Sequence, residues 1–575
     1  MSLPSTTSMP PSSAAKDSLI LHSIPPELQD RIVSFIEQPS DLKALCLSCK
    51  QFRSVTTPHL YRRVVLDPSA TARNAGFFTM GNAGHPHIKD LYLTSLQDAD
   101  QLEQHVSANR VIRLALYCLP KDSLLGLLAP RQLVLEVETL AAIFTQQRQL
   151  HELMPGRVQQ AASQLSFRIK PTLEHLRVVH MMYLDTERCL DFYSDLMARS
   201  HSGIRHISLC GTRVSHSTTG QWIALNDTVS GDGMLFKKVF NTEHGTASAK
   251  PLVLSALRSL RASNLYLARA AETWSKVIPF ERLVTIELSR CSNLEKFLLW
   301  LGCHFRTHGA QLREFSCSGR SLPYRALEDV LRSFSGLQTF QINDIAGVKS
   351  RHLDFASLAA HYSTLKGLEL KYALGETIAS ARPTLDAFDI VELVAHCHGL
   401  EELYLDFPPV SVEDIQGRNW GVYGKWIDFI AKLPKLEILH IASWPTAPFP
   451  DGVTLPSMYK AVYHTLMADC ANAIQEKLDQ HRPGLSSQLK LLSFGDAPSK
   501  ADKAWTANGT EIAMTRLFFI RRPAWLKPSG KKSAMIEMPA REVKYYVPSF
   551  DGVSILSGGD HGGIGAIYDA LTDRT

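Results

Sequence analysis

The sequence lacks any long uninterrupted apolar run. The longest apolar candidates, residues 124–129 and 297–302, fall far short of the roughly twenty residues that a membrane-spanning helix needs. Residues 1–18 are rich in Ser, Thr and Pro and contain no apolar core like that of a signal peptide. We therefore expect a soluble protein that is neither secreted nor bound to a membrane, with a disordered arm over residues 1–18.

A large excess of charge of one sign is also absent. The chain has 61 basic and 56 acidic side chains, which give a formal net charge of +5 over 575 residues. No basic stripe interleaved with aromatic residues is evident, so nothing in the composition indicates a nucleic acid partner. The ten cysteines follow no regular spacing and indicate no disulfide framework. We expect reduced, buried thiols in a protein of the cytoplasm, the nucleus or both.

Catalytic and cofactor-binding motifs are absent as well. No Gly-x-Ser-x-Gly elbow or His-Glu-x-x-His helix occurs. The pair Cys46-x-x-Cys49 has no second ligand pair nearby and is expected to be buried, while the His-Cys-His run at 396–398 has no fourth zinc ligand. The run at 530–533 lacks the first glycine of a phosphate loop, and the glycine-rich stretch at 558–565 is expected to be a flexible tail. We therefore expect no enzyme activity, no catalytic residue, no metal ion and no cofactor.

Residues 21–66 carry the clearest pattern in the chain. Pro25 and Pro26 suit the first turn of a helix, where a missing N–H has no partner. A second and a third short helix are predicted after this one, with Pro58 ending the third. About forty-five residues are near the lower size limit for independent folding, so part of the apolar surface should remain for a partner. The apolar stripe of the first helix contains Leu28, Ile32, Phe35 and Ile36.

This stretch resembles the F-box family. Ile24 stands where the family usually has Leu, a change of nearly equal volume that should leave docking intact. Residues 59–64 are similar to an extension that is common in fungal members. The alternative is a generic three-helix cap for the rest of the chain. The residues that match the family pattern are Ile24-Pro25-Pro26-Glu27-Leu28, Asp41-Leu42, Ala44-Leu45, and Ser48-Cys49-Lys50-Gln51-Phe52 with Val55.

The F-box resemblance implies a function. F-box proteins bind a Skp-type adaptor and, through it, a cullin scaffold and a RING ligase, so the resemblance implies a substrate-recognition subunit of a ubiquitin ligase. The alternative is a repeat scaffold or binding protein whose F-box-like cap acts outside ubiquitination. Some of the apolar residues below must instead hold the three helices together. The candidate adaptor-binding residues are Ile24, Pro25, Leu28, Ile32, Leu42, Leu45 and Val55.

A short unit of the form Φ-x-x-Φ-x-Φ, where Φ is apolar, recurs from residue 88 onward. Its last two apolar positions alternate as in a strand, and helical patterns separate successive units. The upstream units are Ile88-Leu91-Leu93, Val111-Leu114-Leu116, Leu173-Leu176-Val178 and Ile204-Ile207-Leu209. Seven downstream units start at Leu283, Leu312, Leu337, Leu365, Leu400, Leu436 and Leu489. Helices are predicted at 327–334, 355–362, 388–397, 426–433 and 473–478.

This layout resembles leucine-rich repeats, whose parallel strands line the concave side of a solenoid while helices cover the outside. The starts of the downstream units are 29, 25, 28, 35, 36 and 53 residues apart, and several of these spacings exceed those of regular repeats. We therefore expect an irregular α/β solenoid with insertions. The alternative is a doubly wound α/β domain, against which no glycine-rich phosphate loop follows an early strand.

The strand register also predicts a binding face. Residues that alternate with the buried pair of each unit should point to the concave side. Several of them are acidic, and Tyr404 among them is the kind of amphipathic side chain that interfaces favour. We hypothesise contact with a basic segment of a protein target, with simple solvation of the charges as the alternative. The candidate target-binding residues are Glu369, Lys371, Glu402, Tyr404, Asp406 and His440, and Thr285, Glu287 and Ser289 share their face.

Two regions interrupt the repeats. Residues 215–255 are polar and contain glycine, which is typical of a long loop. After residue 500, strand-like stretches at 514–520 and 543–547 flank a basic loop at 527–532, which is either solvated or a nuclear-targeting patch. We expect this region to cap the solenoid. The predicted division is a disordered arm at 1–18, an F-box at 19–66, an irregular solenoid at 67–499, and a cap with a flexible tail at 500–575.

Overall fold

The fold is taken from a computed structural model of the chain. The loops predicted at 215–255 and 527–532, the arm at 1–18 and the glycine-rich tail lie largely or wholly outside the residues that the structure describes. The described residues are 24–36, 39–67, 70–79, 81–94, 102–130, 133–158, 173–182, 184, 187–211, 238–240, 252–267, 270–319, 322–344, 353–372, 387–446, 456–481, 488–495, 502–505, 511–514, 516–521, 535–539, 543 and 546–547.

Three helices open the described chain: α1 (Pro26–Ser34), α2 (Pro39–Ser48) and α3 (Lys50–Arg62). The start of α1 at the predicted proline pair agrees with the suitability of proline for a first turn. The predicted end of the third helix at Pro58 is wrong, because α3 continues through this proline to Arg62. Strand β1 (Arg63–Leu66) begins at the next residue.

A long mixed sheet forms the body. Within the described residues, sixteen strands lie side by side in the order β1-β2-β3-β5-β7-β8-β9-β10-β11-β12-β13-β14-β15-β16-β19-β20. All neighbours from β1 to β16 are parallel, while β19 and β20 are antiparallel to theirs. Two smaller sheets pair β4 with β6 and β17 with β18. The strands after β1 are β2 (Asp90–Leu93), β3 (Gly126–Leu128), β4 (Val134–Leu135), β5 (Glu152–Met154), β6 (Arg157–Val158), β7 (Val178–Met182), β8 (His206–Cys210), β9 (Ser259–Ser263), β10 (Thr285–Ser289), β11 (Glu314–Gly319), β12 (Thr339–Asp344), β13 (Gly367–Tyr372), β14 (Glu402–Leu405), β15 (Ile438–Ile441), β16 (Leu491–Phe494), β17 (Asp502–Trp505), β18 (Glu511–Met514), β19 (Leu517–Arg521) and β20 (Met535–Met538).

Helices connect most of the parallel strands, as a parallel sheet requires. Short 3₁₀ turns lie at His85–His87, His201–Gly203, Phe280–Arg282 and Phe355–His361. The remaining α-helices are α4 (Thr71–Phe77), α5 (Leu102–Cys118), α6 (Val137–Gln146), α7 (Glu187–Ser200), α8 (Ala270–Trp274), α9 (Leu294–His308), α10 (Tyr324–Leu331), α11 (Ala387–His396), α12 (Val412–Gln416), α13 (Gly421–Ile430) and α14 (Pro456–Gln480). The described helices include none that is long and apolar enough to cross a bilayer.

The main core lies between the helices and one face of the sheet. In β10, Ile286 and Leu288 are buried in this core, whereas Thr285, Glu287 and Ser289 alternate with them and are half-buried. Because successive strand residues point to opposite sides, the second set lies on the face away from the helices. We call this second surface the far face. The α/β class and the long parallel sheet after N-terminal helices confirm the predicted solenoid-like fold.

The repeat pattern predicted the downstream strands better than the upstream ones. Each of the seven downstream units supplies two core residues to one of the strands β10–β16. The unit that starts at Val111 is wrong, since these residues lie in α5. The unit that starts at Leu173 has the wrong register, because Val179 and Met181 are the residues of β7 that lie in the main core and Val178 is half-buried.

The far face is buried at its C-terminal end. Ile438, Leu491, Phe518 and Ile520 form a second apolar cluster there, together with Val543 and Val547. The prediction of a strand at 543–547 is wrong, because the N–H of Val547 donates to the carbonyl of Val543 as in a helical turn. This turn and strand β19 therefore close part of the surface that the sequence predicted to be open. A third apolar cluster lies on the far face near the start of the sheet and contains Tyr92, Leu128, Met154, Met182 and Cys210.

Candidate functional site

The three N-terminal helices hold each other by a few specific contacts. Asp30 on α1 lies 2.7 Å from the ring of His59 on α3. Between α2 and α3, the thiol of Cys49 accepts the backbone N–H of Phe52 at 3.4 Å and so caps the start of α3. The buried apolar side chains of this small unit are Val33, Leu42 and Phe52. Its core is therefore small.

The outer surface of these helices exposes several large apolar side chains. On α1, Leu28, Ile32 and Phe35 are 52%, 43% and 70% exposed, and on α2 Leu47 is 77% exposed. Leu28, Ile32 and Phe35 follow each other at intervals of four and three residues, which places them on one side of the helix. We call Leu28, Ile32 and Phe35 the apolar patch. Large exposed apolar side chains that share a face are typical of a protein interaction site.

The seven candidate adaptor residues fall into three groups by burial. Pro25, Leu28 and Ile32 are exposed and accessible to a partner. Leu42 is buried among the helices, which fits the expectation that some of the seven hold the three helices together. Adaptor contact itself stays a prediction for all seven. The half-buried candidates are Ile24, Leu45 and Val55.

The candidate adaptor residues do not include Phe35 of the apolar patch or the exposed Leu47 of α2. The sequence predicts that part of this apolar surface remains for a partner, and in the structure the buried residues of α1 are Gln29 and Val33 rather than members of the stripe. A polar Gln is buried because its side-chain amide donates to the carbonyl of Ile24 at 2.8 Å. The small size of the unit already indicated that part of this stripe stays exposed, and the membership of Phe35 in the stripe was the signal for its exposure.

The helices are joined to the sheet without a linker. Helix α3 ends at Arg62, and β1 starts at Arg63 and pairs with β2 along its whole length. The ring of Tyr61 stacks on that of Phe77 at 6.0 Å. A side chain at Gly84 would collide with the same tyrosine ring, which shows how closely α3 approaches the body. The N-terminal helices and the sheet are therefore held in a defined orientation.

The candidate target-binding residues have the predicted register but not the predicted exposure. Glu369, Tyr404 and His440 occupy aligned positions on the far faces of β13, β14 and β15. All three are buried, as is Asp406, so the expectation of an open acidic surface is wrong at these four positions. Target contact stays a prediction. The half-buried members of the set are Lys371 and Glu402.

The cover over these residues comes from a distant part of the chain. The guanidinium of Arg516 lies 5.4 Å from the centre of the Tyr404 ring, a cation–π arrangement, and donates to the carbonyl of Gly495 at 2.9 Å. Burial, together with the positive charge of Arg516, holds the pKa of His440 well below its usual range. Neutral His440 therefore belongs to the packed interior of the protein.

His440 lies between a hydroxyl and a carboxylate. Its Nδ1 is hydrogen-bonded to the hydroxyl of Ser493, and its Nε2 lies 3.3 Å from the carboxylate of Glu402. Hydrolases use the same three groups to activate a serine. Because His440 and Ser493 are completely buried, no substrate reaches this hydroxyl in the structure. The three groups satisfy each other's hydrogen-bonding atoms beneath the C-terminal residues that cover them.

The other residues considered for chemistry have structural contacts. Cys46 and Cys49 are half-buried rather than buried, and Cys303 is exposed. Cys397 is buried, and the His396 ring stacks on Tyr362 at 5.2 Å. Among the residues that the structure describes, no group of three His, Cys, Asp or Glu side chains is arranged to hold a metal ion.

Comparison with known proteins bears on the N-terminal helices. Residues 21–67 match the family model described as F-box-like. No curated protein matches the sequence of the chain. The crystal structure of the Rad7 and Elc1 complex from yeast is similar to the chain at 14% identity, over 75% of this chain and 90% of the other, with a TM-score of 0.33. A structural likeness of this degree does not bear on function. The helices that carry the apolar patch therefore form an F-box-like domain.

Proposed function

We propose that this chain is the substrate-recognition subunit of a ubiquitin ligase of the Skp-cullin-F-box type. The F-box-like domain binds a Skp-type adaptor, and the repeat body binds a protein target. The observation that carries the proposal is the exposed apolar patch on this domain. F-box domains bind Skp-type adaptors, and the patch offers the apolar surface that such a contact would bury.

Burial of the patch by a partner would favour docking. Complete burial of a Leu, Ile or Phe side chain contributes about 1.5–3 kcal/mol. Leu28, Ile32 and Phe35 are each more than two-fifths exposed, so a partner can bury much of each side chain. A few anchors of this kind dominate the energy of most protein interfaces. Leu28 and Ile32, one turn apart on α1, are the strongest candidates for the centre of the contact.

The direct connection between α3 and β1 supports a role in positioning. A receptor must hold its target at a defined place relative to the transferring enzyme, and a flexible linker would allow many positions. Here Arg62 ends the helix and Arg63 begins a strand of the sheet. In this proposal the chain supplies binding and orientation, other ligase subunits catalyse the transfer, and the complex acts in the cytoplasm, the nucleus or both.

A second candidate function rests on the same connection. Strand β1 provides the first strand of the long sheet, and the Tyr61 ring packs against the turn that contains Gly84. The helices could therefore protect the end of the sheet, since an unprotected end of a repeat body exposes its core. In that case the chain is a repeat scaffold that acts outside ubiquitination.

The first test measures adaptor binding to a patch variant. We expect Leu28→Asp to weaken co-purification with a Skp-type adaptor and to reduce its affinity at least about tenfold, because the contact loses apolar burial and gains a buried carboxylate. The full-length chain is used, and circular dichroism verifies that the variant is folded.

The matched control is Ser34→Asp, which also adds one carboxylate at an exposed position of α1. This control should bind the adaptor like the wild-type chain. A wild-type chain that does not bind the adaptor would contradict the receptor function and favour the scaffold. Equal binding by the wild-type chain and folded Leu28→Asp would exclude the patch as the contact.

A further inference from the structure

The residue immediately before each strand of the main sheet lies in a continuous row. The N–H of Arg205 donates to the carbonyl of Arg177 at 2.8 Å, and Arg258 donates to Arg205 in the same way. The series continues through Val284 to Arg313 at 2.7 and 2.8 Å. Adjacent parallel strands are about 4.8 Å apart. Arginines from repeats that are distant in sequence are thus neighbours along one edge of the sheet.

We call Arg177, Arg205, Arg258 and Arg313 the basic rim. Arg205, Arg258 and Arg313 are exposed, and Arg177 is half-buried. Within the described part of the chain, none of the four forms an ion pair with a carboxylate. Like charges on directly neighbouring strands destabilise a sheet. Arg177, Arg205 and Arg258 precede three adjacent strands, so this part of the basic rim has an energetic cost from like charge.

The same row is neutralised in its later half. There, Lys366 pairs with Glu401 at 3.2 Å, and Lys490 pairs with Glu437 at 2.7 Å. The alternation of opposite charges on neighbouring strands is the ordinary way to stabilise such a row. The comparison shows that the position does not require cations. Cations of this row without an ion pair among the described residues lie between β7 and β11, and also before β1 and β2, where Arg62 and Lys89 are adjacent.

Two of the rim arginines are held in place by backbone contacts. Nη1 of Arg177 donates to the carbonyl of Glu174 at 2.9 Å and approaches that of Gly203 at 3.4 Å. Nη1 of Arg258 approaches the carbonyl of Arg282 at 3.4 Å. A guanidinium has five N–H donors, so each of these groups keeps donors for a ligand. Their orientation is partly fixed before any ligand binds, which lowers the entropic cost of binding.

We infer that the basic rim binds an acidic, extended segment of a protein. From β7 to β11 the row spans about 19 Å, the length of roughly six residues of extended chain. Carboxylates on such a segment match guanidinium groups in charge and in hydrogen-bonding geometry. The inference rests on the proposed function in one respect, because it names the chemistry of the target segment that the receptor recognises.

A single-stranded nucleic acid fits this surface less well. Proteins that bind such strands place aromatic rings beside the cations so that bases can stack. The first residues of β7–β11 lie next to the basic rim. Among these five residues, one histidine has an aromatic ring. They are Val178, His206, Ser259, Thr285 and Glu314.

The test measures binding of three fluorescent probes to the purified full-length chain. The probes are a Glu-rich peptide, the same peptide with Gln in place of Glu, and an oligothymidine of equal charge. We expect the Glu-rich peptide to bind, the Gln peptide not to bind, and the oligothymidine to bind more weakly. The variant Arg205→Gln with Arg313→Gln should lose about tenfold in affinity for the Glu-rich peptide.

The matched control is Lys366→Gln with Lys490→Gln, which removes the same charge from the same row. It should change peptide affinity by less than about twofold, since these lysines are already paired. Equal losses in both variants, or no binding of the Glu-rich peptide, would overturn the inference. Tighter binding of oligothymidine with the same loss at the rim would assign the surface to nucleic acid instead.

This experiment is independent of the adaptor test. Peptide binding is measured without adaptor, and adaptor co-purification is measured without peptide. A chain that binds the peptide but not the adaptor keeps the basic rim as an acidic-segment site and loses the ligase function. A chain that binds the adaptor but not the peptide keeps the receptor function and loses the basic rim as its target site.

Discussion

Strands β9–β12 and strands β14–β16 have residues at equivalent positions on the far face, but these residues differ in burial. In β9 and β10 the far-face residues are half-buried, among them Arg261 and Glu287, which form an ion pair at 2.6 Å. In β14–β16 the aligned Tyr404, His440 and Ser493 are completely buried. The same strand register therefore produces an open surface in one part of the sheet and an interior in another.

The difference arises from what packs on each part. Over β14–β16, the C-terminal residues Arg516, Val543 and Val547 add a second layer. Ile438 and Leu491 on these strands are apolar and match that layer, whereas the corresponding residues of β9 and β10 are Ser259 and Thr285. Residue choice at one register position thus decides whether a strand can accept a cover. A binding surface is to be sought on the open part.

The largest expected effect comes from removing an anchor of the closed part. Phe518 is 2% exposed in the cluster with Ile438 and Leu491. Phe518→Ala should lower the free energy of unfolding by about 3–5 kcal/mol, because it loses apolar burial and leaves a cavity. Urea unfolding followed by circular dichroism measures the change.

The control for this prediction is Ser316→Ala at the corresponding position of the open far face. This change should shift the free energy of unfolding by no more than about 0.5 kcal/mol. A loss below about 1 kcal/mol for Phe518→Ala would show that the two parts of the far face are equally loose, and the contrast between them would fail.

A second prediction uses pH to distinguish the two parts. The pKa of buried His440 is well below its usual range, so between that lowered value and about 6.5 the unfolded chain binds a proton that the folded chain does not. Stability should therefore fall as the pH drops below about 6.5, by at most about 1.4 kcal/mol per pH unit from this group. His440→Gln should reduce the slope of unfolding free energy against pH between 7 and 5.

The slope should decrease without vanishing, because burial also lowers the pKa values of His304 and His361. His151→Gln serves as the control, since this side chain is exposed in the folded protein. An unchanged slope in His440→Gln would mean that water reaches the imidazole and that the cover over β14–β16 is open.

The sequence predicted the fold most accurately where its signals are local. The downstream units have Leu or a similar residue at three fixed positions, so their strands and core residues were correct. At Val111 the same spacing also fits one side of a helix, and α5 is the result. In the unit that starts at Leu173, an additional apolar residue makes the pattern compatible with two strand registers, and the predicted register is wrong.

The surfaces were harder to predict because they depend on residues far apart in the chain. The burial of Tyr404 depends on Arg516, more than a hundred positions away, and no periodicity links the two. The four arginines of the basic rim belong to different repeats. Each directly follows the first core residue of its strand unit, as Arg205 follows Ile204 and Arg258 follows Leu257. The shared position of these arginines within their units is the signal in the sequence. It predicts a row of arginines only when the repeats are aligned with each other.

The smallest expected effect is a change in the free energy of unfolding. It is measured for the loss of one cation at each of two points of the same row. Arg205→Gln removes a cation that has cationic neighbours on both sides, Arg177 and Arg258. Lys490→Gln removes a cation that is paired with Glu437 at 2.7 Å and is about half exposed. We expect the first change to raise the free energy of unfolding by a few tenths of a kcal/mol and the second to lower it by about 0.2–1 kcal/mol.

Salt should reduce both effects, because a Debye length of about 3 Å at 1 M ionic strength screens exposed charges at these separations. Urea unfolding at low and high salt measures the two differences in parallel. A loss of more than about 1 kcal/mol for Arg205→Gln would show that the basic rim supports the fold. Opposite signs at low salt that converge at high salt would mean that its arginines destabilise the free protein, as expected of charges that a ligand neutralises.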